Sequence, residues 1–284
     1  MKFSLIIGTL NRAEYLRCCL QSLKDQKFND FEIIIIDQSS NNDTEHLVEQ
    51  YRDSLNLSYI HVTYQGLSRA RNEALKMISG DYFCLIDDDA FYNSEYLYNL
   101  SKHVAAHPNG IFSGYMWDTS RHREFASYYE LQENQSLSMR QIIRNCPSPA
   151  LSFPSSVVNK IGSFDTDFGV GAKFGAGEET DFIIRAKSCG YKVYYYKDLY
   201  VEHPHKLLAM NLSDGKDKNY KQKTFNYAYG IGALYKKHMH GITFIYMMIP
   251  FIERALKPLI KAIITRNGST QEIVGFYKGL FEYK

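Results

Sequence analysis

Tyr82-Phe83-Cys84-Leu85-Ile86-Asp87-Asp88-Asp89 is an uncharged, mostly apolar run that stops at three consecutive carboxylates. A run of five such residues suits a strand buried on both faces, and the aspartates then stand at its carboxyl end. The segments before it follow the same plan. Phe3–Ile7 reads as a strand, Arg12–Asp25 as an amphipathic helix, and Phe31–Ile36 as a β-branched strand ending at Asp37. Asn42–Tyr51 reads as a helix, Leu57–His61 as a weaker strand, and Leu67–Ile78 as a helix with Leu67, Ala70, Ala74, Leu75 and Ile78 on one side. Strands alternating with helices, with continuous apolar strands, predict an α/β fold with a mostly parallel sheet covered on both faces. Such sheets bind ligands outside the carboxyl ends of their strands. Thr9, Asn11, Asp37 and Asp87–Asp89 all follow predicted strand ends, so separate segments deliver polar groups to one edge.

The rest of the chain is less periodic. Pro147, Pro149 and Pro154 break any long helix, and the glycines from Gly162 to Gly177 suggest a mobile loop. Thr180–Ser188 reads as a helix, and Lys192–Tyr196 and Leu199–His203 as strands. Leu207–Tyr220 is polar. From Phe225 onward the pattern is helical, aromatic and basic. The 284 residues accommodate one large domain with an appendage. The expected division is a domain over 1–205, with halves 1–110 and 111–205, and a helical extension over 206–284.

Net charge is +2, which gives no global case for nucleic acid. The charge is uneven, however. Residues 206–284 carry 13 Lys and Arg against 5 Asp and Glu, while the remainder is net negative. A basic tail of this kind suits an anionic surface. Phe244, Ile245, Met247, Met248, Ile249, Phe251 and Ile252 lie close to Arg254, Lys257, Lys261 and Arg266. Segment 241–266 therefore reads as an interfacial membrane helix, or as a helix packed on the domain or on another copy. Five cysteines without a CxxC pair argue against structural zinc and for a reducing, cytoplasmic setting. No signal peptide is read at the start, and no uncharged apolar run reaches the roughly 18 residues of a membrane span.

Three adjacent carboxylates repel one another unless a cation is present, and a hard divalent ion relieves this. A solvated acidic turn is the plainer reading. Asp37 suits hydrogen bonding to a ribose or base, or a helix N-cap. Arg71 suits phosphate, whereas Arg69, which cannot share its face, reads as exposed. Glu178, Glu179 and Asp181 open a helix; they either complement its dipole or supply a general base. His203 at a strand end is a candidate metal ligand or a structural histidine.

Taken together, these segments resemble the family 2 glycosyltransferases of GT-A fold, over roughly residues 3–205. Ile6-Ile7-Gly8-Thr9-Leu10-Asn11-Arg12 is similar to the opening strand and turn, with Gly8 where a proline is common. Ile33–Ser40 is similar to the uridine-contacting strand, with Gln38 where a second aspartate is common. Leu67–Asn72 resembles the Ala-Arg-Asn helix, Phe83–Asp89 the DxD motif, and Gly177–Phe182 the Glu-Asp motif with Glu179 replacing aspartate.

The resemblance implies an inverting transfer from a nucleotide sugar, expected to be a UDP-sugar, to a hydroxyl of a glycan or lipid-linked acceptor. A role in bacterial surface polysaccharide synthesis at the inner face of the membrane is the matching setting. It implies Mn²⁺ or Mg²⁺ on Asp89, with Asp87 and His203 as further ligand candidates. Thr9, Asn11, Arg12, Asp37, Arg71, Asp87 and Asp88 are implied as donor contacts. Glu179 is implied as base, with Glu178 and Asp181 as alternatives. Two competing readings are a sugar nucleotidyltransferase, which usually needs a glycine-rich phosphate loop, and a non-catalytic nucleotide-sugar binder. Oligomerisation is left open.

Overall fold

The computed structural model describes residues 1–119, 122–124, 131, 134–203, 218–240, 248, 251–252, 255 and 270–283. The first half is the expected alternation: β1 (Phe3–Thr9), α1 (Ala13–Lys24), β2 (Phe31–Asp37), α2 (Asp43–Glu49), β3 (Leu57–His61), α3 (Leu67–Leu75) and β4 (Tyr82–Asp87). β3, β2, β1 and β4 lie side by side and parallel. Phe3, Leu5, Ile7, Ile33, Ile35 and Cys84 pack against α1 and α2 on one face, while Ile6, Ile34, Phe83 and Leu85 meet α3 and later elements on the other. Both faces are buried, which is why these strands read as continuous apolar runs.

Two short strands and a helix follow the acidic turn and its sequel: β5 (Phe91–Tyr92), α4 (Tyr96–Ala106) and β6 (Ile111–Ser113). Next come β7 (Met116–Asp118), β8 (Arg123–Glu124), β9 (Gln135–Ser136), α5 (Met139–Asn145), β10 (Ser152–Pro154), α6 (Val157–Ile161), α7 (Glu178–Ser188), β11 (Val193–Tyr195) and β12 (Val201–His203). The large sheet runs β3-β2-β1-β4-β10-β6-β11-β9, and a small one runs β5-β12-β7-β8. β10 is antiparallel to both β4 and β6, so within the large sheet the second half joins the parallel half through β10.

The glycine-rich stretch departs from expectation. Phe168 and Phe174 are buried, the Leu67 N–H donates to the Val170 carbonyl, and the Ser68 hydroxyl donates to the Phe168 carbonyl. Its glycines permit turns and close approach rather than looseness: Gly169 has φ of 103°, and a Cβ there would lie 2.9 Å from Ser68 Oγ and 3.2 Å from the Glu178 carboxyl. A mobile lid is thus replaced by a packed bridge between α3 and α7.

Two helices complete the described chain, α8 (Lys218–His238) and α9 (Thr270–Glu282), and they pack on each other. The contact is set by glycines. A Cβ on Gly232 would lie 1.9 Å from the Phe276 carbonyl oxygen, and one on Gly279 would lie 1.9 Å from that of Tyr229. Backbone cannot yield as a flexible side chain does. Gly232→Ala should therefore destabilise the full chain by about 3 kcal/mol, the upper end for overpacking, as a lower urea midpoint. An unchanged midpoint would show that the helix pair tolerates separation.

Most of segment 241–266 lies outside the described residues, as does 204–217 around the expected boundary. Within it, Phe251 packs on Tyr235 and Phe276, and Ala255 is buried. Ile252 is exposed. No helix among the described residues is long and apolar enough to cross a membrane.

Candidate active site

β1, β2 and β4 end level with one another: Thr9 is in register with Asp37, and Gly8 with Asp87. The three carboxylates of the acidic turn then diverge. Asp87 is half-buried, whereas Asp88 and Asp89 are buried. Asp88 turns inward, accepting from the Thr9 hydroxyl at 2.8 Å and facing Arg12 at 2.7 Å. Burial pushes its carboxyl up to about 6; Arg12 and Thr9 oppose this and the neighbouring aspartates add to it. Asp89 meets Arg12 at 2.5 Å through one oxygen and His203 at 3.0 Å through the other.

His203 reaches Asp89 by strand pairing. β5 follows the turn directly and runs antiparallel to β12, with Glu202 opposite Phe91, so the next step places His203 opposite Ala90. One ligand atom each from Asp87, Asp89 and His203 falls within 4.8 Å of the others. Two carboxylate oxygens and an imidazole nitrogen are a donor set suited to Mn²⁺, or to Mg²⁺ with more water, and the fit rests on this clustering.

Arg71 sits between the acidic turn and α7. It is 2% exposed and held among protein partners. One terminal nitrogen donates to Glu178 at 2.9 Å; the other donates to Ser148 Oγ at 2.6 Å and lies 3.5 Å from Asp87. One guanidinium thus ties a strand-end carboxylate to the start of α7. Arg69 is exposed and lies over the Tyr64 ring.

Glu179 is half-buried beside Glu178. Burial, then the charge of Glu178, hold its carboxyl well above the ordinary glutamate value, with Arg71 opposing. Asp181 is placed differently. It is fully buried and accepts from Arg185 at 2.8 Å, Lys237 at 2.7 Å and His238 at 2.7 Å. These partners outweigh its burial and lower its carboxyl to about 2. Asp181 faces α8 and is a poor proton acceptor, so the structure sets it apart from the strand-end group.

The acid dependence of folding follows from Asp181. Its folded pKa lies below the unfolded 3.8, so the stabilisation is complete above about pH 4 and is lost as pH falls through about 2. The difference corresponds to about 2 kcal/mol. Asp181→Asn should flatten the acid limb of a stability–pH curve measured by urea denaturation; an unchanged limb would remove Asp181 from that account.

Asp37 is fully buried, with one oxygen accepting from the Ser39 N–H at 2.9 Å and the other from the Tyr59 hydroxyl at 2.9 Å. These bonds tie the loop after β2 to β3. Asn11, at φ 53°, joins the β1 and β2 loops: its N–H donates to Ser39 Oγ, and its side-chain oxygen accepts from the Ser40 N–H. The strand-end group thus gathers Thr9, Asn11, Arg12, Asp87, Asp88, Asp89 and His203, and Arg71 links it to Glu178 and Glu179. Ser148, Tyr59, Lys237 and His238 were not singled out from sequence. Ser148 lies between two prolines that were read only as helix breakers, and the other three carry no local motif.

The profile of glycosyl transferase family 2 matches residues 4–161, more than half of the chain. The chain belongs to glycosyl transferase family 2. Its fold is that of GT-A glycosyltransferases. Residues 1–349 of Staphylococcus aureus TarS superpose with a TM-score of 0.62 at 20% identity, covering 100% of this chain and 91% of that one. A Pyrobaculum calidifontis mannosyltransferase, solved with GDP-Man and Mn²⁺, superposes with a TM-score of 0.65 at 17% identity, covering 98% and 73%. In sequence, S. aureus poly(ribitol-phosphate) beta-N-acetylglucosaminyltransferase TarS is 34% identical over 115 residues, 39% of this chain and 20% of TarS. The poly(ribitol-phosphate) beta-glucosyltransferase of Bacillus spizizenii is 34% identical over 110 residues, 36% and 17% of the two chains. The matched region is therefore a fifth or less of each of these two relatives.

Proposed function

We propose that this chain is an inverting, metal-dependent glycosyltransferase that moves a sugar from a nucleoside-diphosphate sugar to a hydroxyl of a glycan or lipid-linked acceptor. The observation that carries this reading is the pairing of two carboxylate groups across Arg71. Asp87, Asp89 and His203 cluster at the strand ends, and Glu178 and Glu179 open the helix opposite. Asp87, Asp88, Asp89, Glu178 and Glu179 outnumber Arg12 and Arg71, a charge excess that a divalent cation balances.

Asp89, Asp87 and His203 would hold Mn²⁺ or Mg²⁺. Bound there, the ion supplies charge neutralisation for a diphosphate leaving group. Arg12 and Arg71 keep the acidic turn from spreading, and Thr9 fixes Asp88 away from the cluster. Glu179 accepts the proton of the acceptor hydroxyl, whose oxygen then attacks the anomeric carbon on the face opposite the departing diphosphate. Its raised pKa gives it more basicity than an ordinary glutamate and sets the pH above which it acts. Turnover should therefore rise with pH through an inflection above the usual glutamate range. Asp181, held ionised by Arg185, Lys237 and His238, supports α7.

A UDP-sugar is the favoured donor, supported by TarS, whose fold this chain shares and which has been solved with UDP-GlcNAc. A part in bacterial surface polymer synthesis is in keeping with the two poly(ribitol-phosphate) relatives. Attachment to the inner face of a membrane through 241–266 belongs to the same reading, tested by liposome flotation of chains with and without residues beyond 206. The donor is tested by thermal shift across nucleotide sugars, with Mn²⁺ or with chelator. The expected result is stabilisation by one diphosphate sugar only when Mn²⁺ is present. Stabilisation by a nucleoside triphosphate and sugar phosphate instead would favour a nucleotidyltransferase.

A further inference from the structure

The start of α7 is not fixed by its own residues. Its N-cap is Gly177, in the left-handed region at φ 96°, with no side-chain cap. First-turn acids complement a helix dipole but do not hold its direction. The direction is held from two sides. Arg71 grips Glu178, and α8 grips Asp181.

The grip of α8 is both ionic and steric. Lys237 Nζ bridges Asp181 and Asp165, at 2.7 and 2.6 Å, and His238 Nε2 meets the same Asp181 oxygen as Lys237 at 2.7 Å. Arg185 completes the set on α7 itself and also donates to the Ile161 and Ser163 carbonyls, at 2.6 and 2.9 Å. Earlier in α8, Gly230 lies flat on the residues leading into α7: a Cβ there would be 2.4 Å from the Ala176 carbonyl oxygen. Gly175 is as close to α8, with Asn226 Cβ 2.8 Å from the position its own Cβ would take. Tyr229 packs on Phe174 with centroids 5.0 Å apart. Contacts from α8 therefore fall immediately before Glu178 and again at Asp181, bracketing Glu179.

We propose that Lys237 and His238 are positioning residues for Glu179, acting through Asp181, so that the C-terminal helix is part of the apparatus that aims the base. This inference rests on the reading of Glu179 as the base. A tilt of the first turn of α7 moves the Glu179 carboxylate relative to the acceptor oxygen while leaving the strand-end aspartates and their nucleotide in place. A misplacement of about 1 Å can cost up to a hundredfold in rate.

The test uses the full chain and the nucleotide sugar with the greatest Mn²⁺-dependent stabilisation in the donor panel, with release of nucleoside diphosphate as readout. His238→Ala should lower kcat at least roughly tenfold with KM for the donor unchanged. His238→Gln, which keeps an N–H to donate to Asp181, should recover most of that loss. In a Glu179→Gln background His238→Ala should add no further loss, because the group it aims is gone. Wild-type kcat in His238→Ala would overturn the proposal. So would equal losses in both backgrounds, or a parallel fall in nucleotide affinity, since either would mark a general structural role. Should His238→Ala fail to fold, Lys237→Gln takes its place: a roughly tenfold lower kcat with unchanged KM for the donor supports the proposal, and wild-type kcat overturns it. A His238→Gln chain that lost nucleotide affinity along with kcat would overturn the proposal. Unchanged release in Glu179→Gln alone would instead sink the parent reading of Glu179.

Discussion

Glu179→Gln should lower turnover by about a thousandfold, the middle to upper range for a general base, and leave nucleotide affinity almost unchanged. Glutamine keeps the shape and hydrogen-bonding reach of glutamate but cannot take a proton. The strand-end group that would hold the nucleotide is joined to the start of α7 through Arg71 and Glu178, which the substitution leaves in place. Loss of the Glu179 carboxyl also removes a like charge from Glu178, so the folded chain should be no less stable. Steady-state release of nucleoside diphosphate, with calorimetric titration of UDP and Mn²⁺, separates the two effects. Loss of UDP affinity in step with turnover would place Glu179 in nucleotide binding rather than in proton transfer.

Asp89→Ala should abolish the metal-dependent part of donor binding. Asp89 is the hub of the strand-end group, meeting His203 with one oxygen and Arg12 with the other. Removing it takes one of three clustered donors and frees Arg12 to lie wholly on Asp88. A ligand at 100 times its Kd raises folding stability by about 2.7 kcal/mol, and wild type should show that gain with donor and Mn²⁺. The variant should show none, while its stability without ligand changes less because an excess acidic charge is gone. A full Mn²⁺-dependent gain in Asp89→Ala would place the ion elsewhere.

Most of the parallel half was legible because buried parallel strands leave continuous apolar runs. Leu57–His61 matches β3 residue for residue, and β4 extends one residue past the expected end, to Asp87. Convergence at the strand ends was legible for the same reason, since topology alone brings Thr9, Asp37 and Asp87 level. What each side chain does there was not. Asp37 reads in sequence as a ribose or base contact or as an N-cap, and its bonds to the Tyr59 hydroxyl of the neighbouring strand and to the Ser39 N–H carry no local signal. Arg71 suits either a phosphate contact or a brace, and its bonds to Ser148 and Glu178, distant in the chain, leave no local signal.

The C-terminal half was harder to read for a physical reason. Between Gly162 and Gly177 the glycines read as looseness, but glycine also allows close approach. Gly230 against Ala176 and Gly279 against Tyr229 are contacts of this second kind. Nothing local in the sequence distinguishes the two uses. The same holds for Asp181, whose place in a first helical turn resembles that of Glu179 until Lys237 and His238 arrive from 57 residues or less along the chain.

The central claim is that the strand-end acids and Glu179 act together on one nucleotide sugar. Release of nucleoside diphosphate from the donor found by thermal shift tests it most directly, measured with Mn²⁺ and with chelator for wild type, Asp89→Ala and Glu179→Gln. Release should be metal-dependent in wild type and lost in both variants. Release that persists in chelator, or that survives both substitutions, would contradict it.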